Sequence, residues 1–245
     1  MLVWFAVLAF SVFSSMAALR LLRLWWRTRQ LPELLIAILI LGVGTIAVGG
    51  NFLISRLVTP GTPLDALRFL PSFGAGAGML ALCIFTWRVY RAGSAIACSV
   101  ACAFALGIGG VFGTAVYSGS VDILSHPPYR EFNYAMYVGV MLWSSGEAFA
   151  YWGPMRRRLK LQLVDPVVVN RVLLWGLATG CAGLGIAIGA CGAIMQAPGE
   201  LPPTWVSATF ALFGSVSAIG FWLTFKPPVA YAQWIERRGA AFASS

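Results

Sequence analysis

A single histidine, His126, and only two lysines, Lys160 and Lys226, set narrow limits on the chemistry open to this 245-residue chain. Haem held by two histidines is excluded outright. A zinc protease needs HExxH and a serine hydrolase needs a histidine beside its nucleophile, and neither arrangement occurs. A retinal Schiff base needs a lysine at mid-membrane, whereas Lys160 lies in a basic turn and Lys226 at the end of an apolar run. No GxxxxGK[ST] loop is present to cradle phosphates. The five cysteines, Cys83, Cys98, Cys102, Cys181 and Cys191, include no CxxC pair and all fall inside apolar runs, so structural disulfides are not expected. Cys98 and Cys102 are one helical turn apart, but no histidine or carboxylate accompanies them, and they read as small packing residues. Catalytic residues, cofactors and a metal site are therefore not expected, and the chain reads as non-enzymatic.

Charge is also scarce, at 10% of residues, while 59% are hydrophobic and the mean hydropathy is +0.81. Those values describe an integral membrane protein. Runs of about 20 apolar residues suffice to cross a bilayer as a helix, and they recur at approximately 2–26, 32–55, 69–90, 93–117, 132–154, 166–195 and 203–226. The expected fold is an all-α bundle of seven transmembrane helices forming one domain over 1–245. A β-barrel would need alternating polarity, whereas "LLIAILILGVGTIAVGG" is apolar on every side. The opening "MLVWFAVLAFSVFSSMAALRLLRLWW" carries its arginines after the apolar run, not before it as a signal peptide does, so it reads as a retained first helix.

Basic residues divide unevenly between the two ends of these spans. Arg20, Arg23, Arg27, Arg29, Arg88, Arg91, Arg156, Arg157, Arg158, Lys160, Arg171, Lys226, Arg237 and Arg238 fall on one side, and only Arg56, Arg68 and Arg130 on the other. Short basic loops stay cytoplasmic, which puts the N-terminus outside and the C-terminus inside, in a multi-pass arrangement suited to a bacterial cytoplasmic (inner) membrane. The same charge favours anionic headgroups, so membrane lipids are expected partners. Nucleic acid is not, because no soluble basic face with stacking aromatics exists.

Two stretches on the basic side carry more than topology. In "DPVVVNR", Asp165 can cap a helix that Pro166 opens, since proline at the first helical position loses no hydrogen bond. In "TRQLPELL", Pro32 repeats the device and Glu33 sits where a negative charge suits the helix dipole. Asn170 and Arg171 follow within the sixth span. With Arg20, Glu33 and Asp165 they form the expected inner-face polar cluster, in which Arg171 reaches Glu33 or Asp165. The pair "TRQLPELL" and "DPVVVNRVLLWG" resembles a group of bacterial seven-helix membrane proteins to which no activity is attached. The resemblance covers roughly these two stretches alone; it implies the seven-helix build and nothing about chemistry.

Ionisable groups inside hydrocarbon cost about 2.5 to 3.5 kcal/mol on insertion scales, so each invites a functional reading. Glu147 is the one acid well inside a span, at a depth similar to that of Arg20, and the two are expected to pair. Asn51, Tyr117, Tyr137 and Glu147 are the expected ligand-binding residues, the first three toward the outer side. Glycines at four-residue spacing, Gly74 and Gly78, Gly109 and Gly113, Gly176 and Gly180, and Gly185 and Gly189, mark expected close helix contacts. The expected role is that of a receptor-like or sensor protein. It would bind a small apolar or lipid-like ligand and signal through its basic cytoplasmic face to a cytosolic or membrane protein partner. The alternatives are a secondary transporter and an accessory subunit of a larger complex. A transporter is expected to show duplicated halves, and the first three spans set beside the last three give no convincing repeat.

Overall fold

Proline, glycine and a few capping side chains decide where each helix starts and stops. The computed structural model describes residues 2–57, 65–119, 124, 126–195, 203–225 and 227–243, and among these no strand occurs. Helix α1 (Leu2–Thr28) ends where Arg29 takes a left-handed φ of 57°, its N–H bonded to the Trp25 carbonyl at 2.7 Å. Pro32 then lies in the first turn of α2 (Leu31–Leu39). That helix continues without a break through a wider, π-wound segment (Ile40–Gly49) into α3 (Gly50–Leu57). A 3-10 turn (Asp65–Arg68) leads to α4 (Phe69–Tyr90). Helix α5 (Ala95–Ser118) is capped by Ser94, whose hydroxyl accepts the Ala97 N–H, and closed by Gly119 at φ 65°.

Helix α6 (Tyr129–Lys160) is followed by Gln162 at φ 56°, a second left-handed stop. Helix α7 (Pro166–Met195) starts as the sequence anticipates: the Asp165 carboxylate accepts the Val167 N–H at 2.7 Å beside Pro166. Helix α8 (Thr204–Phe225) precedes α9 (Val229–Ala243), a helix beyond the last of the seven expected spans. Among the described residues, four stretches are long and apolar enough to cross a membrane: Leu31–Ile54, Ala66–Tyr90, Ala95–Ser118 and Pro166–Met195.

The chain divides into two compact units, Met1–Met136 and Tyr137–Ser245. In the first, the α2–π–α3 helix lies between α1 and α4, and α5 packs on α4. Gly74 and Gly78 of α4 sit against Ile46 and Val43, and a methyl group at Gly42 would collide with the Gly74 carbonyl. Two helices meet there backbone to backbone. Phe73 and Phe112 stack at 5.3 Å to join α4 and α5. In the second unit α7 takes the middle place. Gly176, Gly180 and Gly183 face Ala148, Ser145 and Met141 of α6, while Ala178 and Gly192 of α7 lie against Gly220 and Val206 of α8.

The glycine expectation is met unevenly. Gly74 and Gly78 and also Gly176 and Gly180 are close contacts, but nothing beyond α5's own neighbouring backbone stands within 4 Å of where a side chain would begin at Gly109 or Gly113. That face of α5 is instead apolar and open, with Leu106 77% exposed. Exposed apolar surface on this scale suits lipid and not water.

Candidate functional site

Polar side chains buried between apolar helices are the places where chemistry or recognition is to be sought, because an unpaired hydroxyl in hydrocarbon is costly. The second unit holds the most connected set. Ser145 is buried on α6 and donates to the Gly176 carbonyl of α7 at 2.7 Å. Beside it, the Trp175 indole N–H donates to the fully buried Ser144 hydroxyl at 3.2 Å. Thr179, also fully buried, donates back to the Trp175 carbonyl at 2.8 Å and approaches that of Gly176 at 3.3 Å. Phe221 and Phe225 of α8 meet the Trp175 ring edge-on at 5.3 and 5.9 Å, which fixes the direction of its N–H. Three helices therefore hold one hydroxyl and indole network. All its members are uncharged, so it is suited to uncharged hydrogen-bonding groups and not to ions.

The first unit has a smaller set at the crossing of α1 with the π-wound segment. Ser15 and Thr45 share a hydroxyl–hydroxyl bond of 3.0 Å, Ser15 also donates to the Ser11 carbonyl, and Ser11 donates to the Gly44 carbonyl at 3.4 Å. These hydroxyl pairs were not singled out from the sequence. The signal available was the recurrence of serine and threonine inside otherwise apolar runs.

On the basic side, Asn170 donates its amide N–H to the Tyr231 hydroxyl at 3.0 Å, tying the first turns of α7 to α9. Asp165 is exposed and spends its carboxylate on the helix cap. Arg171 is exposed one residue beyond Asn170. Glu33 accepts from the Thr28 hydroxyl across the α1–α2 turn. Of the expected inner-face cluster, Arg20 and Glu33 belong to the first unit and Asp165, Asn170 and Arg171 to the second, where Asp165 and Asn170 are both placed by the start of α7. Four arginines, Arg29 and Arg88 in the first unit and Arg156 and Arg238 in the second, lie 4.4 to 4.9 Å from the ring centroids of Trp26, Trp87, Trp152 and Trp234. Such contacts join positive charge to an amphipathic ring, as headgroup-level residues do.

The expected ligand-binding residues fall two in each unit. Asn51 is exposed on α3 and Tyr117 is 94% exposed near the end of α5, both in the first unit, while Tyr137 is buried and Glu147 half-buried on α6 in the second. Near the start of α6, Arg130 and Glu131 form a 2.7 Å ion pair, and the Arg130 guanidinium beside it holds the Glu131 carboxyl below its ordinary range. Among the described residues no group of three or more His, Cys, Asp or Glu side chains could hold a metal ion. No family model, curated protein or solved structure matches this chain.

Proposed function

We propose that the chain is a seven-span protein of a bacterial cytoplasmic membrane, N-terminus outside and C-terminus inside, that acts as a receptor-like sensor of a small uncharged ligand. The topology is supported by the unequal distribution of arginine and by the four arginine–tryptophan pairs on the side richer in charge. The spans would be α1, the α2–π–α3 helix, α4, α5, α6, α7 and α8, with α9 at the inner surface. The ligand is apolar or lipid-like in body, because the membrane-facing groups are.

The observation that carries the sensing role is the course of α7. One unbroken helix bears the buried network at Trp175 and Thr179 and, five residues before Trp175, the Asn170 tie to α9. A shift of α7 caused by a ligand at the network would be felt at α9, whose Arg237 and Arg238 face a cytosolic or membrane partner in this topology. The test is to purify the protein in lipid nanodiscs, extract it with solvent and analyse the extract by mass spectrometry. A stoichiometric uncharged molecule that is lost from a folded Trp175→Phe variant supports the reading. Absence of any such molecule from the unaltered protein contradicts it.

A further inference from the structure

The packing of the two units exposes a correspondence that a single-offset comparison of the sequence misses. In α1, Ser14, Ser15 and Ala18 have the spacing of Ser144, Ser145 and Ala148 in α6, an offset of 130. Ala18 and Ala148 are both fully buried. In the following helix, Pro32, Leu39, Gly42, Thr45 and Gly49 have the spacing of Pro166, Leu173, Gly176, Thr179 and Gly183, an offset of 134. The two offsets differ by four residues, one helical turn, and the difference falls in the end of α6 and its longer turn. Both first helices are stopped by a left-handed residue that is not glycine, Arg29 and Gln162, shortly before the proline.

The contacts follow the same order. A side chain begun at Gly49 would meet Ser11, and one begun at its counterpart Gly183 would meet Met141, which stands at the same offset of 130 from Ser11. At the crossing of first and second helices, Ser15 bonds Thr45, and Ser145 and Thr179 converge on the Gly176 carbonyl. The third helix then runs antiparallel along the middle one in each unit. Gly50, Ile46 and Val43 meet Pro71, Gly74 and Gly78 in turn; Gly192, Gly185 and Ala178 meet Val206, Phe213 and Gly220.

We infer that α1–α2–π–α3–α4 and α6–α7–α8 are two copies of one three-helix unit, joined through α5, and that the chain carries a small uncharged, hydroxyl-bearing solute across the membrane. Four crossings separate α1 from α6 in the seven-span topology, so the copies have the same orientation. Two parallel copies are a recurrent build of membrane carriers, and a sensor has no need of them. At each crossing the hydrogen-bonding side chains are serine and threonine hydroxyls, which fits a neutral solute. The inference rests on the seven-span reading and goes beyond sensing.

The test uses the full chain in phosphatidylethanolamine–phosphatidylglycerol vesicles, with osmotic swelling in glycerol, xylitol and glucose followed by light scattering. At least one solute is expected to enter faster than in protein-free vesicles, and Thr45→Val and Thr179→Val, which keep the shape and remove the hydroxyl, are each expected to slow that entry several-fold. Thermal melting of both variants separates this from misfolding. Entry no faster than in protein-free vesicles for all three solutes overturns the carriage, and so does a response to only one of two folded variants. If entry fails while a ligand still co-purifies, carriage is lost and sensing stands. An experimental structure in which Ser15 and Ser145, or Thr45 and Thr179, fall on non-corresponding helix faces overturns the duplication itself.

Discussion

The middle helices of the two units solve the same packing problem differently. In the first unit the α2–π–α3 helix approaches α4 through backbone, with Gly42, Gly74 and Gly78 giving up side chains so that two helices can touch. In the second, α7 meets α8 through rings near its start, Trp175 against Phe221 and Phe225, and through Gly185 and Gly192 further on, while Gly176, Gly180 and Gly183 face α6. Backbone contact leaves little tolerance for added volume, whereas a ring cluster aims a polar N–H into the interior and can respond to what sits beside it. The first arrangement makes a stiffer helix pair and the second a more adjustable one.

Substitutions that break this contrast should rank accordingly. Gly42→Val has the largest expected effect, because the added atoms meet the Gly74 backbone, which has no side chain to swing away. Overpacking of this kind costs about 1 to 3 kcal/mol or more. A fall in detergent melting temperature should appear, and Gly109→Val on the open face of α5 should leave it unchanged. Next is Ser145→Ala, which leaves the Gly176 carbonyl with a poorer partner and should cost about 1 kcal/mol. The matching Ser15→Ala change should cost less, since that crossing is only partly buried. Equal losses would mean that the difference in burial between the two crossings carries no energy.

A smaller effect is expected at the basic side. Tyr231→Phe removes the acceptor for Asn170 while keeping the ring stacked on Trp234, 5.9 Å away between centroids. Stability should fall by about 0.5 kcal/mol, and hydrogen exchange in α9 should quicken while that in α8 does not. Quicker exchange in both would mean that the tie holds the whole second unit. The smallest effect is electrostatic. The Glu131 carboxyl is held low in the folded chain by Arg130, so the pair stabilises above the ordinary carboxylate range, and that contribution fades as pH falls through the depressed value. Glu131→Gln should flatten the acid limb of a stability profile slightly, and a steeper limb would contradict the assignment.

Much of the architecture was legible because long apolar runs have only one satisfactory backbone solution in lipid. Pro32 and the Asp165–Pro166 cap marked two helix starts correctly, since capping is a local matter of a few residues. Helix α9 was missed because its apolar and charged residues alternate too closely for a hydropathy window, and the sequence alone does not reveal that Tyr231 has Asn170 to dock on. The hydroxyl network was missed for a different reason. Serine and threonine in an apolar helix often bond their own backbone, as Thr209 does to the Trp205 carbonyl, and only packing separates those from Ser145. The repeat was hidden by the four-residue difference between its two halves, which a fixed alignment cannot absorb but a longer turn after α6 can.

The central claim is that the turn after α1 and the turn after α6 are the same feature, on the same side of the membrane. Cysteines placed singly at Gln30, Gln162, Gly61 and Gly199, in a chain whose five native cysteines are replaced by alanine, report this directly through a thiol reagent that does not cross membranes. The account predicts that Gln30→Cys and Gln162→Cys react only when the cytoplasmic side is opened, and that Gly61→Cys and Gly199→Cys react from outside in intact cells. Labelling of Gln30→Cys and Gln162→Cys from opposite sides would contradict it.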